Sequence, residues 1–410
     1  MKTIRPIVLM MLFALAASSC VYDFNPQIDG EGGYLVVDGD IVLGTVCDIT
    51  CRWSWSLVDT TQQENQRELF YTNRMHIEDN RGKRYENLFY TSWDPLSSSS
   101  ATGGGPSGRF DLTEADPSLE YRLVVENSKG TYASAWAAAL PPAEIDSLSY
   151  QISADRKTMD IQISTHSDNA PGSYYRWQVE EVWEYTADVY TPNMAIFSYL
   201  PDGRRTIEVV PFPPDRNIYY CWSWNRRQEL MVGSTTGLSG DRLVNHTLYT
   251  LANTDARTSR LYRIDVRQTR ISEDAYHYYE MMDRNARDVG GLFSPEPSEY
   301  RGNLVNLSDP DELVLGYVDV TAVSSARYYI NSWTVRFYRN PSPPIPEPEV
   351  LGTLAEWLDA YYRGLLPGGE VYNEETGLFL GYEWWPARCL DCQVKGGSKS
   401  RPADWPNNDY

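Results

Sequence analysis

Alternation of apolar and polar positions predicts that most of this chain forms β-strands. In VCDITCRWSWSL (46–57) every second side chain from Cys47 to Leu57 is apolar and those between are polar, the pattern of a strand with one buried face. Cys47 and Cys51 share that face at a spacing of about 13 Å along a strand, whereas the Cα atoms of a disulfide lie within about 7 Å. We therefore expect these two cysteines to be small core side chains and not a disulfide.

Short strands of this kind fill residues 34–142. Seven are predicted, beginning with YLVVDGDIV (34–42) and separated by turn signals such as Asn80-Arg81-Gly82. Short strands at this spacing over about 110 residues predict an antiparallel β-sandwich of the immunoglobulin or fibronectin type. Pro141-Pro142 marks the end of this domain.

Residues 143–340 keep the β pattern and predict a second, larger β-rich domain. One helix interrupts it at 272–288, where Ser272 is a suitable N-cap and Gly290-Gly291 follows the last turn. Four side chains share the expected buried face of this helix: Ala275, Tyr279, Met282 and Ala286.

Residues 341–410 begin with a Pro-rich connector, PSPPIPEPEV (341–350), which favours a stiff, extended conformation. A short helix follows, with Thr353 and Glu356 at the positions of a capping box and Gly364 as its stop. A tail with a Cys-x-x-Cys motif comes next. The fold class expected for the whole chain is therefore mainly β, with one or two short helices after the first sandwich.

The first residues predict export and a lipid anchor. Lys2 and Arg5 precede an apolar run of about ten residues, which is too short to span a bilayer. Small residues then lead to Cys20, which predicts a lipoprotein signal peptide at 1–19, lipidation of Cys20 and a tether over 20–33. The alternative is an ordinary secretory signal with a cysteine nearby by chance. Since no later apolar run has membrane-spanning length, the lipid is the membrane attachment that we expect.

The chain is strongly acidic. Lys and Arg number 36 against 56 Asp and Glu, which gives a formal net charge of −20. Nucleic-acid binding requires a basic footprint, so nucleic acid is excluded as a class of partner. The acidity favours a solvated outer surface over a dedicated cation site.

No motif in the sequence predicts catalysis, a metal or a cofactor. The four histidines have no second histidine at ligand spacing. GSTTG (233–237) resembles a nucleophile elbow, but Thr235 stands at its centre and no strand-turn-helix pattern surrounds it. Two groups of carboxylates, Asp38-Gly39-Asp40 and Asp309-Pro310-Asp311-Glu312, are interpreted as turn residues rather than cation sites, because Asp and Pro favour turns.

The motif formed by Cys389 and Cys392 allows three interpretations: a redox centre, half of a zinc site, or a structural disulfide. Zinc would need two further ligands, and a redox motif expects a βαβ context that this tail lacks. In an exported chain a structural disulfide is favoured. The Cys389–Cys392 pair is the simplest prediction, with Cys221 bonded to either of them as the alternative.

Three segments resemble one protein family: YLVVDGDI (34–41), GGLFSPEPSEYRGNLVNLSDPDELVLGYVDV (290–320) and CLDCQVKGGSKSRPADWPN (389–407). They are similar to the Bacteroidota lipoproteins catalogued as domain of unknown function 4249. The resemblance implies an outer-membrane lipoprotein, displayed at the cell surface or, alternatively, facing the periplasm, and encoded beside a TonB-dependent transporter. No catalytic residues are established for the family. The glycines and prolines of the second segment are interpreted as shaping the backbone rather than contacting a ligand.

The function expected from these features is non-enzymatic. We predict an outer-membrane accessory protein that captures a ligand, or covers a TonB-dependent transporter, in nutrient uptake. An adhesin or a structural protein of the cell envelope is the alternative, and a hydrolase with an unrecognised site is the third hypothesis. Trp384, Trp385 and Trp405 are the candidate partner contacts, because tryptophan anchors many interfaces. Alternatively, these tryptophans clamp the tail onto the second domain.

Overall fold

The structure is a computed structural model. It describes ten ranges: residues 34–53, 74–88, 107–127, 129–167, 172–213, 216, 218–238, 240–288, 301–339 and 344–406. The predicted signal peptide (1–19), Cys20, the tether (20–33) and Gly290-Gly291 lie outside them.

The described residues form strands and a few short helices, numbered here along the chain. The first part contains β1 (Leu35–Asp38), β2 (Ile41–Val42), β3 (Val46–Trp53), β4 (Arg74–Asp79), β5 (Arg84–Glu86), β6 (Ser107–Asp111), β7 (Glu120–Asn127), β8 (Gly130–Ser134) and β9 (Ala137–Ala138). The middle contains β10 (Glu144–Ile152), β11 (Thr158–His166), β12 (Tyr174–Thr186), β13 (Asn193–Tyr199), β14 (Arg205–Pro211), β15 (Tyr220–Arg226), β16 (Met231–Ser234), β17 (Arg242–Ala252), a 3₁₀ turn (Ala256–Thr258), β18 (Leu261–Ile271) and helix α1 (Glu273–Asp288). The last part contains β19 (Leu304–Asn306), β20 (Val314–Leu315), β21 (Val320–Thr321), β22 (Val323–Asn331), α2 (Ser332–Val335), β23 (Glu349–Leu351), α3 (Leu354–Tyr362), β24 (Leu365–Tyr372), β25 (Phe379–Pro386), α4 (Ala387–Leu390) and a 3₁₀ turn (Cys392–Lys395). The expected class, mainly β with a few short helices, is confirmed.

The N-terminal strands form the predicted antiparallel sandwich. One sheet has the order β1-β3-β6 and the other β8-β7-β4-β5, which is the strand order of immunoglobulin-like and fibronectin-like domains. Ile49 and Phe110 of the first sheet and Leu123 of the second lie in one buried core. The Tyr121 hydroxyl at the start of β7 donates to the Asp116 carbonyl at 2.8 Å, the tyrosine corner that such domains carry at this position.

Cys47 and Cys51 are core residues of β3, as predicted. They are 4% and 0% exposed, and both carry reduced thiols outside the disulfide. Burial raises the pKa of Cys47 to about 11 and that of Cys51 to about 12. Both thiols therefore remain protonated and unreactive at neutral pH.

A second sandwich repeats the strand order of the first. The sheet β10-β11-β17 packs against the sheet β15-β12-β18-β22, and β16 pairs with the first half of β12. Ile161 and Ile163 of β11 meet Trp177 of β12 and Val266 of β18 in its core. The chain is thus a tandem of two similar sandwiches, an arrangement that the sequence pattern left open.

The connection between β18 and β22 leaves the second sandwich and returns to the first. After α1 it adds β19 antiparallel to β8, β20 parallel to β1 and β21 parallel to β2. The predicted boundary between residues 34–142 and 143–340 is therefore too simple. Residues 304–321 complete the first sandwich although they lie within the second sequence range.

Two glycines of this returning segment allow the backbones to touch. A Cβ on Gly302 would overlap the Gly316 carbonyl oxygen, and a Cβ on Gly316 would overlap the Val37 carbonyl of β1. Gly316 also has φ +127°, which side-chain-bearing residues rarely adopt. For these positions the backbone-shaping interpretation is confirmed.

Helix α1 begins where the sequence predicts. The Ala275 N–H donates to the Ser272 hydroxyl at 3.2 Å, an N-cap contact. Ala275 and Tyr279 are buried as expected, together with Tyr278. Met282 is 38% exposed, so its predicted burial is wrong. Among the α1 side chains whose burial the structure describes, the buried ones lie in the first two turns of the helix. Met282 lies about one turn further along.

A third unit forms from two distant parts of the chain. The sheet β23-β25-β24 and helix α3 pack against the β13–β14 hairpin, with Ile207, Ala360 and Trp384 in a common core. The capping box of Thr353 and Glu356 is confirmed. The region predicted as a connector, a short helix and a tail therefore also contains a three-stranded sheet.

Candidate binding surface

The sequence motifs with catalytic appearance have structural roles. The Thr235 hydroxyl at the centre of GSTTG donates to Asp241 and accepts from the Ser173 N–H at 2.7 Å. Glu312 accepts from the Tyr132 hydroxyl at 3.0 Å, within the second group of carboxylates. In the ranges that the structure describes, no three His, Cys, Asp or Glu side chains are placed to hold a metal ion.

The first group of carboxylates takes part in a buried joint between the sandwiches. Asp40, between β1 and β2, accepts from the Arg176 guanidinium of β12 at 2.5 Å. Arg176 also donates to the Tyr279 hydroxyl of α1 at 2.5 Å. Beside this pair, Asp319 accepts from the N–H and the hydroxyl of Ser272 at 2.9 and 3.0 Å. Asp40 therefore joins two modules, a role beyond that of the turn residue that the sequence predicts.

The charges of this joint perturb one another. Burial raises the pKa of Asp40, and burial together with the Asp40 charge raises the pKa of Asp319 to about 6. Burial opposes the charged form of Arg176, but Asp40 and the neighbouring acidic groups together raise the pKa of its guanidinium. The buried Arg176 thus pairs with Asp40, and Asp319 is a second buried carboxyl group beside that pair, an arrangement that links protonation to stability.

Two further buried carboxylates, Glu181 and Glu184, lie on opposite faces of β12. Glu181 accepts from Arg227 at 3.1 Å and from Asn225 at 2.9 Å. Glu184 accepts from Arg260 at 3.1 Å. Because each carboxylate has its own arginine and the two point to different faces, they do not form the facing pair that acid–base hydrolysis uses.

His166 and Asp146 form the clearest contact between a histidine and a carboxylate. His166 Nδ1 lies 2.6 Å from Asp146 Oδ1, and Arg242 approaches the same carboxylate at 3.5 Å. Asp146 falls at a register shift of β10, where a β-bulge redirects a side chain. A histidine base and an orienting carboxylate are two parts of a site for nucleophilic catalysis. Such a site also requires a nucleophile.

The disulfide joins Cys221 of β15 to Cys392, with Cα atoms 5.7 Å apart, and Cys389 is a buried free thiol. The Cys389–Cys392 pairing is therefore wrong, and the alternative through Cys221 is the one present. The Cys392 N–H donates to the Ile218 carbonyl at 2.9 Å, which brings the tail alongside β15. The disulfide spans a sequence separation of 171 residues, and spacing along the chain does not reveal it.

Trp384 and Trp405 are 1% and 4% exposed, and Trp385 is half-buried. Trp405 packs against Val182, Trp222 and Leu261 of the second sandwich. A partner contact through the Trp384 and Trp405 side chains is contradicted by their burial. For Trp405 the geometry matches the alternative, in which it clamps the tail onto the second domain.

The tail is also held by charge. Asp404 contacts Arg263 at 2.8 Å and Arg327 at 2.7 Å, and the Trp405 indole N–H donates to Glu184 at 2.9 Å. These contacts lie on the outer face of the second sandwich and reinforce the clamp.

Exposed apolar side chains are concentrated on the third unit. Of 26 large hydrophobic side chains that the structure shows as exposed, twelve lie in residues 193–211 and 344–386. Five of them are aromatic and are named here the aromatic surface: Tyr199, Tyr361, Tyr362, Tyr372 and Phe379, with exposures of 64%, 38%, 56%, 50% and 44%. Concentrations of exposed apolar groups mark interaction sites more often than scattered single residues do.

The rings of this surface form two groups. At the hairpin end, Phe197 stacks on Tyr361 with centroids 5.4 Å apart and planes 9° apart, and contacts Tyr199 and Tyr362 edge to face.

At the sheet end, the rings form a chain of edge contacts. Tyr372 meets Phe379, Phe379 meets Tyr382, and Tyr382 meets Trp357, at centroid distances of 5.6, 5.2 and 5.6 Å. Trp357 and Tyr361 stand four residues apart on α3, so one helix face connects the two groups.

Sequence reasoning missed this surface. It assigned partner contacts to tryptophans, whereas the exposed rings are mostly tyrosines. A usable signal was present in AEWLDAYYR (355–363). Aromatic residues recur there at helical spacing, and they occupy more of the helix surface than a small core can cover.

Fold and surface together define a class, a tandem β-sandwich protein with an exposed aromatic surface on a small third unit. Residues 21–327 match the family model described as a domain of unknown function (DUF4249), and the chain belongs to this family. Strands β23 to β25 and helix α3 lie beyond the matched residues.

One curated protein shows a short likeness. Histidinol dehydrogenase of Rhizobium meliloti (strain 1021) is 37% identical over 59 residues, which is 14% of this chain and 14% of that enzyme. The chain spans about one-seventh of the length of that relative, and a likeness of this extent transfers no activity. Within the described ranges, no helix combines the length and the apolar content that crossing a membrane requires.

Proposed function

We propose that this protein is a lipid-anchored outer-membrane accessory protein of Bacteroidota that works with a TonB-dependent transporter in nutrient uptake and has no turnover of its own. The observation that carries the binding role is the aromatic surface of the third unit. Tyrosine rings are frequent anchors of interfaces, because they bury large areas and lose little side-chain entropy.

A lipid on Cys20 would suit such a role. Stable anchoring confines a protein to the membrane plane and raises its effective concentration near a membrane-embedded partner. A surface of modest affinity is then sufficient. The paired sandwiches supply a rigid support between the tether and the third unit, since the Asp40–Arg176 joint fixes one module against the other.

Purification of the tagged protein from gently solubilised outer membranes, followed by mass spectrometry, tests the proposal. We expect the wild-type protein to recover a TonB-dependent transporter and the Tyr372→Ala/Phe379→Ala variant to lose it. The Trp224→Ala/Trp333→Ala variant is the matched control, because these side chains are 67% and 66% exposed but lie outside the third unit.

Two outcomes would contradict the proposal. Recovery of the wild-type protein alone, under saturating expression of the transporter, removes the partnership. Equal loss in both double variants shows that the aromatic surface has no special role.

The anchor has a separate test. The Cys20→Ala variant should appear uncleaved or soluble, and membrane fractionation in high salt measures this. A variant that still sediments with outer membranes would contradict lipidation.

A further inference from the structure

The part of the aromatic surface formed by residues 344–386 lies in an acidic environment. Residues 344–386 contain one basic side chain, Arg363, and eight acidic side chains: Glu347, Glu349, Glu356, Asp359, Glu370, Glu374, Glu375 and Glu383. Arg363 is held by Glu349 at 2.6 Å and by Asp359 at 2.9 Å. The single positive charge of this segment is therefore already neutralised.

The acidic groups nearest the exposed rings flank Tyr372 and Phe379. Glu370 accepts from the Tyr372 hydroxyl at 2.5 Å, and Glu374 and Glu375 follow in the turn between β24 and β25. All three glutamates are exposed. In the part of the chain that the structure describes, Glu374 and Glu375 form no ion pair.

That turn is held rigidly. The Asn373 side-chain oxygen accepts from the N–H groups of Glu375 and Thr376 at 3.0 and 2.8 Å, and the Gly377 N–H donates to the Asn373 carbonyl at 2.9 Å. Leu378 and Phe379 are presented from this turn with exposures of 66% and 44%. A preordered turn loses little entropy on binding.

The rings themselves accept a guanidinium. Arg205 of β14 already stands over the Tyr362 ring, 5.5 Å from its centroid. Aromatic faces carry partial negative charge, so arginine and lysine side chains bind over them.

We infer that the aromatic surface takes an extended peptide segment rich in arginine or lysine, presented by the partner protein. The inference rests on the proposed function and names the chemistry of the same surface. Exposed rings provide stacking faces, and the flanking glutamates provide charge complementary to a cationic segment. Anionic lipid is disfavoured as an occupant by the same charges.

Fluorescence anisotropy with labelled decapeptides tests the inference on the full mature protein. The probes are (Arg-Thr)₅ and its charge-reversed counterpart (Glu-Thr)₅, with the neutral oligosaccharide maltoheptaose as an unlabelled competitor. We expect the arginine peptide to bind at least about tenfold more tightly than the glutamate peptide, and its affinity to fall as salt rises.

The charge variants refine the test. In Glu370→Gln/Glu374→Gln/Glu375→Gln, affinity for the arginine peptide should fall about tenfold, because three exposed carboxylates that attract the cationic peptide are removed.

The control is Glu86→Gln/Glu114→Gln/Glu120→Gln, which removes the same number of exposed charges from the first sandwich and should leave affinity unchanged. Equal binding of both peptides, or an equal effect of the two triple variants, would overturn the inference. Competition by maltoheptaose with no arginine-peptide preference would assign the surface to glycans instead.

Failure here and failure of the proposed function are distinguishable. Suppose that the triple glutamine variant of the third unit still recovers the transporter while the Tyr372→Ala/Phe379→Ala variant does not. The aromatic surface is then supported as the partner contact, and a cationic peptide as its occupant is contradicted. If neither variant changes recovery, the surface itself is wrong.

Discussion

The Arg176 guanidinium and the Asp40 carboxylate form a buried ion pair, 2.5 Å apart, that joins the two sandwiches of this protein. Both side chains are nearly inaccessible to solvent, at 9% and 2% exposure. Taking two charges out of water is expensive, and the loss of one partner leaves the other buried and uncompensated. The joint therefore makes the two modules depend on each other.

Asp40→Asn should lower the free energy of unfolding by about 3 kcal/mol, because it leaves the Arg176 charge without its counterion. Urea unfolding followed by tryptophan fluorescence measures this. Asp48→Asn is the matched control, since Asp48 pairs with Arg109 at 2.8 Å on the surface of the same sandwich, where solvent screens the pair. Equal destabilisation by both substitutions would show that the Asp40 pair has no special role.

Asp319 should make stability fall as the pH rises between about 4 and 6. Burial raises the pKa of this carboxyl from 3.8 to about 6 in the folded protein, so the folded state holds the proton more tightly than the unfolded chain does. A group of this kind contributes stability below its unfolded pKa and loses it as the pH passes its folded pKa.

Comparison with Asp319→Asn removes the titrations that involve neither Asp319 nor its neighbour Asp40. The stability of the wild-type protein relative to the variant should be greatest below about pH 4 and should decline to a constant value above about pH 6. Parallel urea titrations at several pH values measure the difference. A difference that does not vary with pH, or one that grows as pH rises, contradicts the raised pKa of Asp319.

Local signals in the sequence were sufficient to predict the strands and helices. They were insufficient to predict which distant elements pack or pair with one another. Alternation in β3 gave a strand with Cys47 and Cys51 inside, and Thr353 gave the start of α3, because both depend on neighbours within a few residues. The return of residues 304–321 to the first sandwich depends on contacts with strands far away along the chain. The same limit hid the partner of Cys392.

The aromatic surface escaped prediction for a related reason. Tyr361 and Tyr372 belong to elements whose pattern is that of ordinary amphipathic structure. Their exposure follows from the small size of the third unit, whose core is too small to cover every ring. Only the assembled unit, including the distant β13–β14 hairpin, shows which rings remain outside.

The disulfide gives a direct chemical prediction. Alkylation without reductant, followed by peptide mapping, should recover Cys221 linked to Cys392, with Cys389 modified only after unfolding. Cys392→Ser should free Cys221 and lower the free energy of unfolding by up to about 5 kcal/mol in the loop-entropy relation, since the bridge closes a long loop. Cys389→Ser is the control and should keep the bridge. A Cys389–Cys392 peptide would contradict the connectivity.

Gly316→Ala should destabilise the protein by about 3 kcal/mol, because the added methyl group meets the Val37 carbonyl and the residue has positive φ. Gly82→Ala is the matched control. Gly82 also has positive φ, at +88°, but a Cβ there meets nothing within 4 Å. The control should therefore show backbone strain alone, about 1 kcal/mol. Thermal melting of both variants separates steric overlap from strain, and equal shifts would contradict the close approach.

Trp405→Ala should separate the clamp from an interface. Its indole is buried against Val182, Trp222 and Leu261, so truncation opens a cavity and should lower the free energy of unfolding by about 3 kcal/mol. The matched control is Trp333→Ala, since Trp333 is 66% exposed and its loss should leave melting unchanged.

Transporter recovery is measured on the same two proteins, at a temperature where both are folded. If Trp405 acts as a clamp, melting falls while the folded variant still recovers the transporter, because the aromatic surface lies on another unit. An unchanged melting temperature together with lost transporter recovery would contradict the clamp and would support Trp405 as a partner contact.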